Sequence, residues 1–198
     1  MSEFGRELCS AFACIGELDL GVVARLEQHY TLLLRWNRVL NLTRVTVLRE
    51  AVRRHYCESL LLAKWLPDST RSVLDVGSGA GFPGVVVAAY RPGVRVVLAE
   101  RRRRKAAFLK EATRGWANVE VWWGPAQEAV GEFEWVVSRA VDPVEVVKIA
   151  RRKARGVALL VSADAVGVLQ GLERIQWGEV VMLPWGERRA LVLGRLST

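Results

Sequence analysis

The stretch Val73-Leu-Asp-Val-Gly-Ser-Gly-Ala-Gly-Phe-Pro-Gly84 decides how this chain is read. A short run rich in β-branched residues, Ser72–Val76, carries an acidic residue one position before its end and is followed by glycines at 77, 79 and 81. Such a loop after a first strand lets the backbone turn sharply and approach a ligand closely. In an open α/β sheet this is where ligands bind. A dinucleotide fingerprint needs a third glycine three positions after the second; here that position is Phe82, and the spacing is G-x-G-x-G.

Reading outward supports a parallel sheet. Val94–Ala99 is a second strand and Arg101–Gly115 a charged helix. Val119–Trp123 and Trp135–Ser138 are further strands, Pro143–Lys153 a helix, Val157–Ser162 a fifth strand and Ala165–Arg174 a helix. Val180–Leu183 and Arg189–Leu196 read as a closing antiparallel pair around Pro184–Gly186. Strands alternating with helices predict a doubly wound α/β fold covered on both faces. Residues 1–68 read instead as a helical cap, with 69–198 the ligand-binding domain. Leu18–Leu40 has helical apolar spacing, Asn37 and the Asn-Leu-Thr at 41–43 suggest a break, and Thr46 is placed to cap a helix ending before Pro67.

Two carboxylates sharpen the ligand. Asp75 precedes the loop, where it would repel a pyrophosphate but suit a cofactor carrying an ammonium and a sulfonium. Glu100 ends the second strand, 23 residues past Gly77, where it can take both hydroxyls of a ribose. The pair favours S-adenosylmethionine (SAM) over a nicotinamide dinucleotide. The structural alternatives are a capped glycine loop for Asp75 and a solvated strand end for Glu100.

Composition bounds the rest. At 198 residues, 51% hydrophobic and 25% charged, the chain is globular, with no stretch near the roughly 18 apolar residues of a membrane span and no signal-peptide pattern at its start. Three cysteines without a CxxC, with only two histidines, predict reduced thiols in a cytoplasmic protein and no zinc site. The net charge of +8 is concentrated: residues 71–114 hold ten basic and three acidic side chains. That field suits a polyanion such as RNA. The run Arg101, Arg102, Arg103, Arg104, Lys105 opens a helix, where cations oppose the macrodipole, so a phosphate-holding role is expected beside the bland one of a solvated face. Adjacent Trp122 and Trp123 should point to opposite faces of their strand as packing residues.

Several pieces resemble the RsmG (GidB) family of bacterial small-subunit rRNA methyltransferases. They are WNRVLNLT (36–43), RHYCES (54–59), LDVGSGAGFPG (74–84), RPG (91–93), LAE (98–100), RKAAFL (104–109) and SRA (138–140). The resemblance implies a class I SAM-dependent methyltransferase, Rossmann-like, with a mostly parallel seven-stranded sheet and a helical N-terminal cap. It implies methylation at N7 of a guanine in the 530 loop of 16S rRNA, acting as a monomer on the small ribosomal subunit, with no membrane partner. Gly77, Gly79, Gly81, Phe82 and Arg139 would line the cofactor pocket with Asp75, Glu100 would hold the ribose, and Ala126 and Gln127 would flank the adenine. The family's Gly-Arg-Ala-Glu is here Gly124-Pro125-Ala126-Gln127, and its lysine-glycine after the fifth strand is Ser162-Ala163-Asp164. Those departures leave a non-catalytic SAM- and RNA-binding module, or a methyltransferase with another substrate, as alternatives.

Guanine N7 has a free lone pair and no proton to lose, so no general base is expected. Catalysis would rest on positioning and electrostatics. Arg139 is the first candidate, with Arg54 and His55 next as a charged pair on the cap facing the cleft. Their structural alternatives are an ion pair and a helix–domain hydrogen bond. Trp36 is expected to staple the cap to the domain.

Overall fold

The computed structural model describes residues 1–186 and 188–197. Seven strands form one sheet: β1 (Ser72–Val76), β2 (Arg95–Glu100), β3 (Val119–Trp123), β4 (Phe133–Arg139), β5 (Ala154–Ser162), β6 (Ile175–Met182) and β7 (Arg189–Leu196). Their order is β3-β2-β1-β4-β5-β7-β6, parallel except for β7, which runs against both neighbours. The chain leaves β1 toward β2 and β3, then returns to β4 on the other side. The C-terminal ends of β1 and β4 therefore diverge at a topological switch point, where a crevice opens.

Alternation along each strand builds two cores. Val73, Val96, Leu98, Val137, Ala158 and Leu160 face one layer; Leu74, Val97, Ala99, Val136, Val157 and Leu159 face the other. Helices α1 (Glu3–Phe12), α2 (Leu20–Leu40), α3 (Leu48–Ala51), α4 (Glu58–Trp65), α5 (Gly84–Tyr90) and α6 (Arg103–Ala112) cover the first layer, and α7 (Pro143–Lys153) and α8 (Ala163–Gln170) the second. Phe4, Leu8, Leu26, Leu33 and Leu60 belong to the same core as the strand residues of the first layer, so the helical third has no separate core. Trp36 joins α2 to α6, as expected: its Nε1 donates to Glu111 Oε2 at 3.1 Å and its ring meets Phe108 edge-on.

The structure corrects several boundaries. The helix expected to run unbroken to Leu66 contains a π-helical turn, Val52–Cys57, between α3 and α4. Thr46 does not cap it; Val47 stands at the start with no side-chain bond. Asn37 lies inside α2, where its side chain holds Thr43 through two hydrogen bonds, and the break falls at Asn41, in the left-handed region at φ 47°. The strand expected at 180–183 begins earlier, at Ile175, because half-exposed edge residues hide its pattern. Ser2, Asp19 and Asp142 cap α1, α2 and α7 through their side chains. Among the described residues no cluster of three metal-ligating side chains occurs, no helix is long and apolar enough to cross a membrane, and the three cysteines are free.

Candidate functional site

The glycine loop is pinned to β2 at its base. The amides of Gly77 and Ser78 both donate to the Ala99 carbonyl, at 3.0 and 3.1 Å. Gly77, Gly79 and Gly81 take positive φ (72°, 56° and 95°), a region closed to most side chains. Glu100, only 7% exposed, organises the other side: its Oε2 accepts from Gly79 N at 3.0 Å and its Oε1 from Arg102 N at 2.8 Å. Each carboxylate oxygen keeps acceptor capacity for a hydroxyl.

A cleft of about 580 Å³ opens over these groups at the switch point. Gly77 and Glu100 line it with Ala126, Gln127, Val141 and Ile149. A Cβ on Gly77 would stand 2.6 Å from Val141 Cγ2, so glycine keeps this floor open. An apolar slot with a carboxylate at its edge fits an adenosine, and the donor set agrees with the expected cofactor. Ala126 is buried and Gln127 exposed, on a 3₁₀ turn begun by Pro125. Arg101 Nη2 lies 3.5 Å from Gln127 Oε1.

Five expected cofactor residues, Asp75, Gly79, Gly81, Phe82 and Arg139, are not part of the cleft wall. Asp75 is enclosed beneath the loop, its Oδ2 accepting from Gly84 N at 3.0 Å and its Oδ1 without a partner. It caps the loop-to-helix junction, which is its structural alternative, and burial pushes its carboxyl up to about 7. Gly81 is close to protein instead of ligand: a Cβ there would lie 2.6 Å from Val85 and 3.0 Å from His29. Phe82 is buried in an aromatic cluster, stacked on His55 at 4.8 Å and edge-on to His29 and Tyr56.

Of the three candidates for positioning, Arg139 and His55 meet at Phe82 on the first layer, outside the cleft lining, and Arg54 reaches them through its carbonyl. Arg139 continues the alternation of Val137, which turns it away from the cofactor slot. Its guanidinium lies 5.1 Å over the Phe82 ring, donates to the Arg54 carbonyl at 2.6 Å and stands 4.0 Å from Glu58. Burial lowers its pKa to about 10, opposed by Glu58, so it stays a cation near neutral pH. Arg54 contributes its carbonyl here, while its exposed side chain pairs with Glu50 at 2.8 Å. His55 is not half of a charged pair. Burial first, then the charge of Arg139, lowers its pKa to about 3, and its Nε2 bonds Thr43 Oγ1 at 2.8 Å.

Sequence reasoning passed over Glu58 and Arg189. Glu58 is fully buried and receives Arg189 through Nε at 3.0 Å and Nη2 at 2.9 Å. Burial raises its pKa against the pull of Arg189. The signal available was Glu58 inside the RHYCES piece; its partner is 131 residues away and invisible to local patterning.

Arg101 to Arg104 are exposed and Lys105 half-buried. The helix begins at Arg103, later than expected, because Glu100 holds the Arg102 amide outside the first turn. The first two arginines therefore form the rim of the cleft, and the rest lead away from it. Trp122 turns its Nε1 to the Pro125 carbonyl and packs on the second core; Trp123 lies outside, under Arg103 at 5.7 Å.

Comparison with known proteins gives concordant results. The family model for rRNA small subunit methyltransferase G matches residues 22–165. Ribosomal RNA small subunit methyltransferase G of Pelotomaculum thermopropionicum is 34% identical over 91% of this chain and 87% of its own. The protein of the same name from Halorhodospira halophila is 37% identical over 85% of this chain and 78% of its own. Among solved structures, a SAM-dependent methyltransferase from Aquifex aeolicus shares the fold at a TM-score of 0.59 and 17% identity, over 74% of this chain and 93% of that one.

Proposed function

This chain belongs to the rRNA small subunit methyltransferase G family, and from that premise we propose that it methylates N7 of a guanine in the 530 loop of 16S rRNA, in the small ribosomal subunit. It is a SAM-dependent rRNA methyltransferase. The observation that carries the cofactor side is Glu100, fixed by two backbone amides at the mouth of the cleft. When bound, SAM supplies a methyl group on a sulfonium, an electrophile that needs no metal.

Gly77 and Gly79 give the cofactor its approach, Glu100 takes the ribose hydroxyls, and Ala126 and Gln127 flank the adenine. Asp75, Gly81 and Phe82 support the loop from below. The guanine N7 target is favoured by the placement of both histidines: His29 and His55 are buried in the first layer and neither lines the cofactor cleft. A nucleophile that has no proton to lose suits such a site. Arg139 orders the Phe82 platform at the end of β4 and sets the electrostatics beside the methyl donor. Residues 1–68 serve as the helical cap. The reaction runs in the cytoplasm with one chain sufficient, and Arg101–Lys105 hold rRNA phosphates.

The test is transfer of labelled methyl from SAM to small subunits lacking the modification, with the modified base mapped. Label at N7 of the 530-loop guanine is expected. SAM binding without transfer would favour the binding-module alternative, and label elsewhere would redefine the substrate.

A further inference from the structure

A second cleft, of about 510 Å³, shares no lining residue with the cofactor slot. Arg49, Arg53, Arg54, Arg189 and Trp185 line it, with Glu50 the acidic member. Arg139 connects the two: its guanidinium holds the Arg54 carbonyl, and Val141, two residues on, lines the cofactor cleft.

The arginines there are placed against local preference. Arg49 and Arg53 are four residues apart, where like charges on a helix repel. The π-helical turn carries Arg53 and Arg54 as neighbours on the cleft, and turns of this kind concentrate at functional sites. Arg54 is paired with the exposed Glu50 at 2.8 Å and Arg189 with the buried Glu58 at 2.9 Å, whereas Arg49 meets Glu7 only at 3.8 Å. Among the described residues Arg53 has no ion pair, and its buried Nε has no hydrogen-bond partner. Trp185 forms a rigid wall, stacked on Phe12 and hydrogen-bonded to the Ala11 carbonyl.

We propose that this arginine cleft is a second RNA-backbone site, holding phosphodiester groups next to the target nucleotide while Arg101–Lys105 engage the strand on the far side of the cofactor. Planar guanidinium groups match phosphate oxygens, and a cluster around an aromatic wall suits a single strand or loop better than a smooth duplex. This rests on the rRNA substrate proposed above.

The test compares wild type with the Arg49→Gln/Arg53→Gln/Arg54→Gln variant, using naked 16S rRNA and small subunits lacking the modification, over a series of salt concentrations. Every phosphate that the variant no longer neutralises should flatten the log–log salt slope by about 0.7–0.9, so a change of roughly 1.5–2.5 is expected with the naked RNA. KM for subunits should rise at least ~10-fold on the same electrostatic grounds, with SAM affinity unchanged. If the triple variant does not fold, the single exposed variants Arg49→Gln and Arg54→Gln carry the same comparison at smaller amplitude. An unchanged salt slope in folded variants overturns the proposal. Weakened binding to subunits with unaltered binding to naked RNA also overturns it, and assigns the cleft to a protein surface. Absence of methyl transfer by the wild type would instead strike the underlying function, which separates the two failures.

Discussion

At the residue scale the site depends on side chains that are buried in unusual charge states. His29 falls to about 4 and His55 to about 3, chiefly by burial, against about 6.5 in an unfolded chain. Their contribution to stability is complete above about pH 6.5 and is lost as pH falls toward 4, because the unfolded chain then binds more protons. Asp75 acts in the opposite sense. Its folded pKa of about 7 exceeds the ordinary value of about 3.9, so its contribution is complete at low pH and is lost as pH rises through that window. Glu58, whose carboxyl burial raises against the pull of Arg189, acts in the same sense as Asp75, so two histidines and two carboxylates oppose each other across this range. Urea unfolding between about pH 4 and 6.5 measures the balance, and Asp75→Asn, which removes one opposing group, should make stability rise more steeply with pH than in the wild type. A flat profile in both proteins contradicts the assignment. Arg139→Ala should stop methyl transfer while the protein stays folded. The loss of a charged hydrogen bond to the Arg54 carbonyl should cost about 1.5–3 kcal/mol in unfolding free energy. Wild-type turnover in that variant would reduce Arg139 to a structural clasp.

At the element scale, strands and loop were legible because the sheet imposes a period of two and the loop imposes glycine. Val73, Leu74 and Val76 alternate between two cores, and the alternation is written in the sequence. The π-helical turn was not legible. Its composition is that of an ordinary helix, and the widened register is chosen by packing of Val52, Tyr56 and Cys57 into the first core. Nor could local reading orient Arg139: the residue was found, but its face follows from the register of β4. Glu58–Arg189 is a contact between the start of α4 and the start of β7, with no local signature. The staple between α2 and α6 gives the prediction at this scale. Trp36→Phe removes the hydrogen bond to Glu111 and keeps most of the packing on Phe108. It should cost about 1 kcal/mol in chemical denaturation and leave SAM affinity unchanged. A large fall in SAM affinity would mean that α2 shapes the cofactor cleft directly.

At the scale of the whole molecule, charge and fold divide the work. The sheet opens the proposed cofactor cleft at its switch point, and positive groups stand at the rim of each cleft. The excess in residues 71–114 was visible by counting; the arginines of the π-helical turn were hidden in a segment whose count is nearly balanced. Neutralising Arg102 and Arg103 should flatten the salt slope of rRNA binding by about 0.7–0.9 for each phosphate they hold. Filter binding over a salt series reads this directly, and an unchanged slope would leave that run a solvated face.

The antiparallel β7 carries a consequence for how the molecule comes into being. It lies between β5 and β6 yet follows every other helix and strand in the chain, and it brings Arg189 to Glu58. During synthesis the helical third and the central strands emerge first, with Glu58 awaiting its bidentate partner. A nascent chain lacking β7 has an open sheet edge, and its Glu58 faces Arg139 at 4.0 Å without the bidentate Arg189. Competence therefore waits for β7 to join the sheet: the carboxylate made early is matched only by an arginine made late.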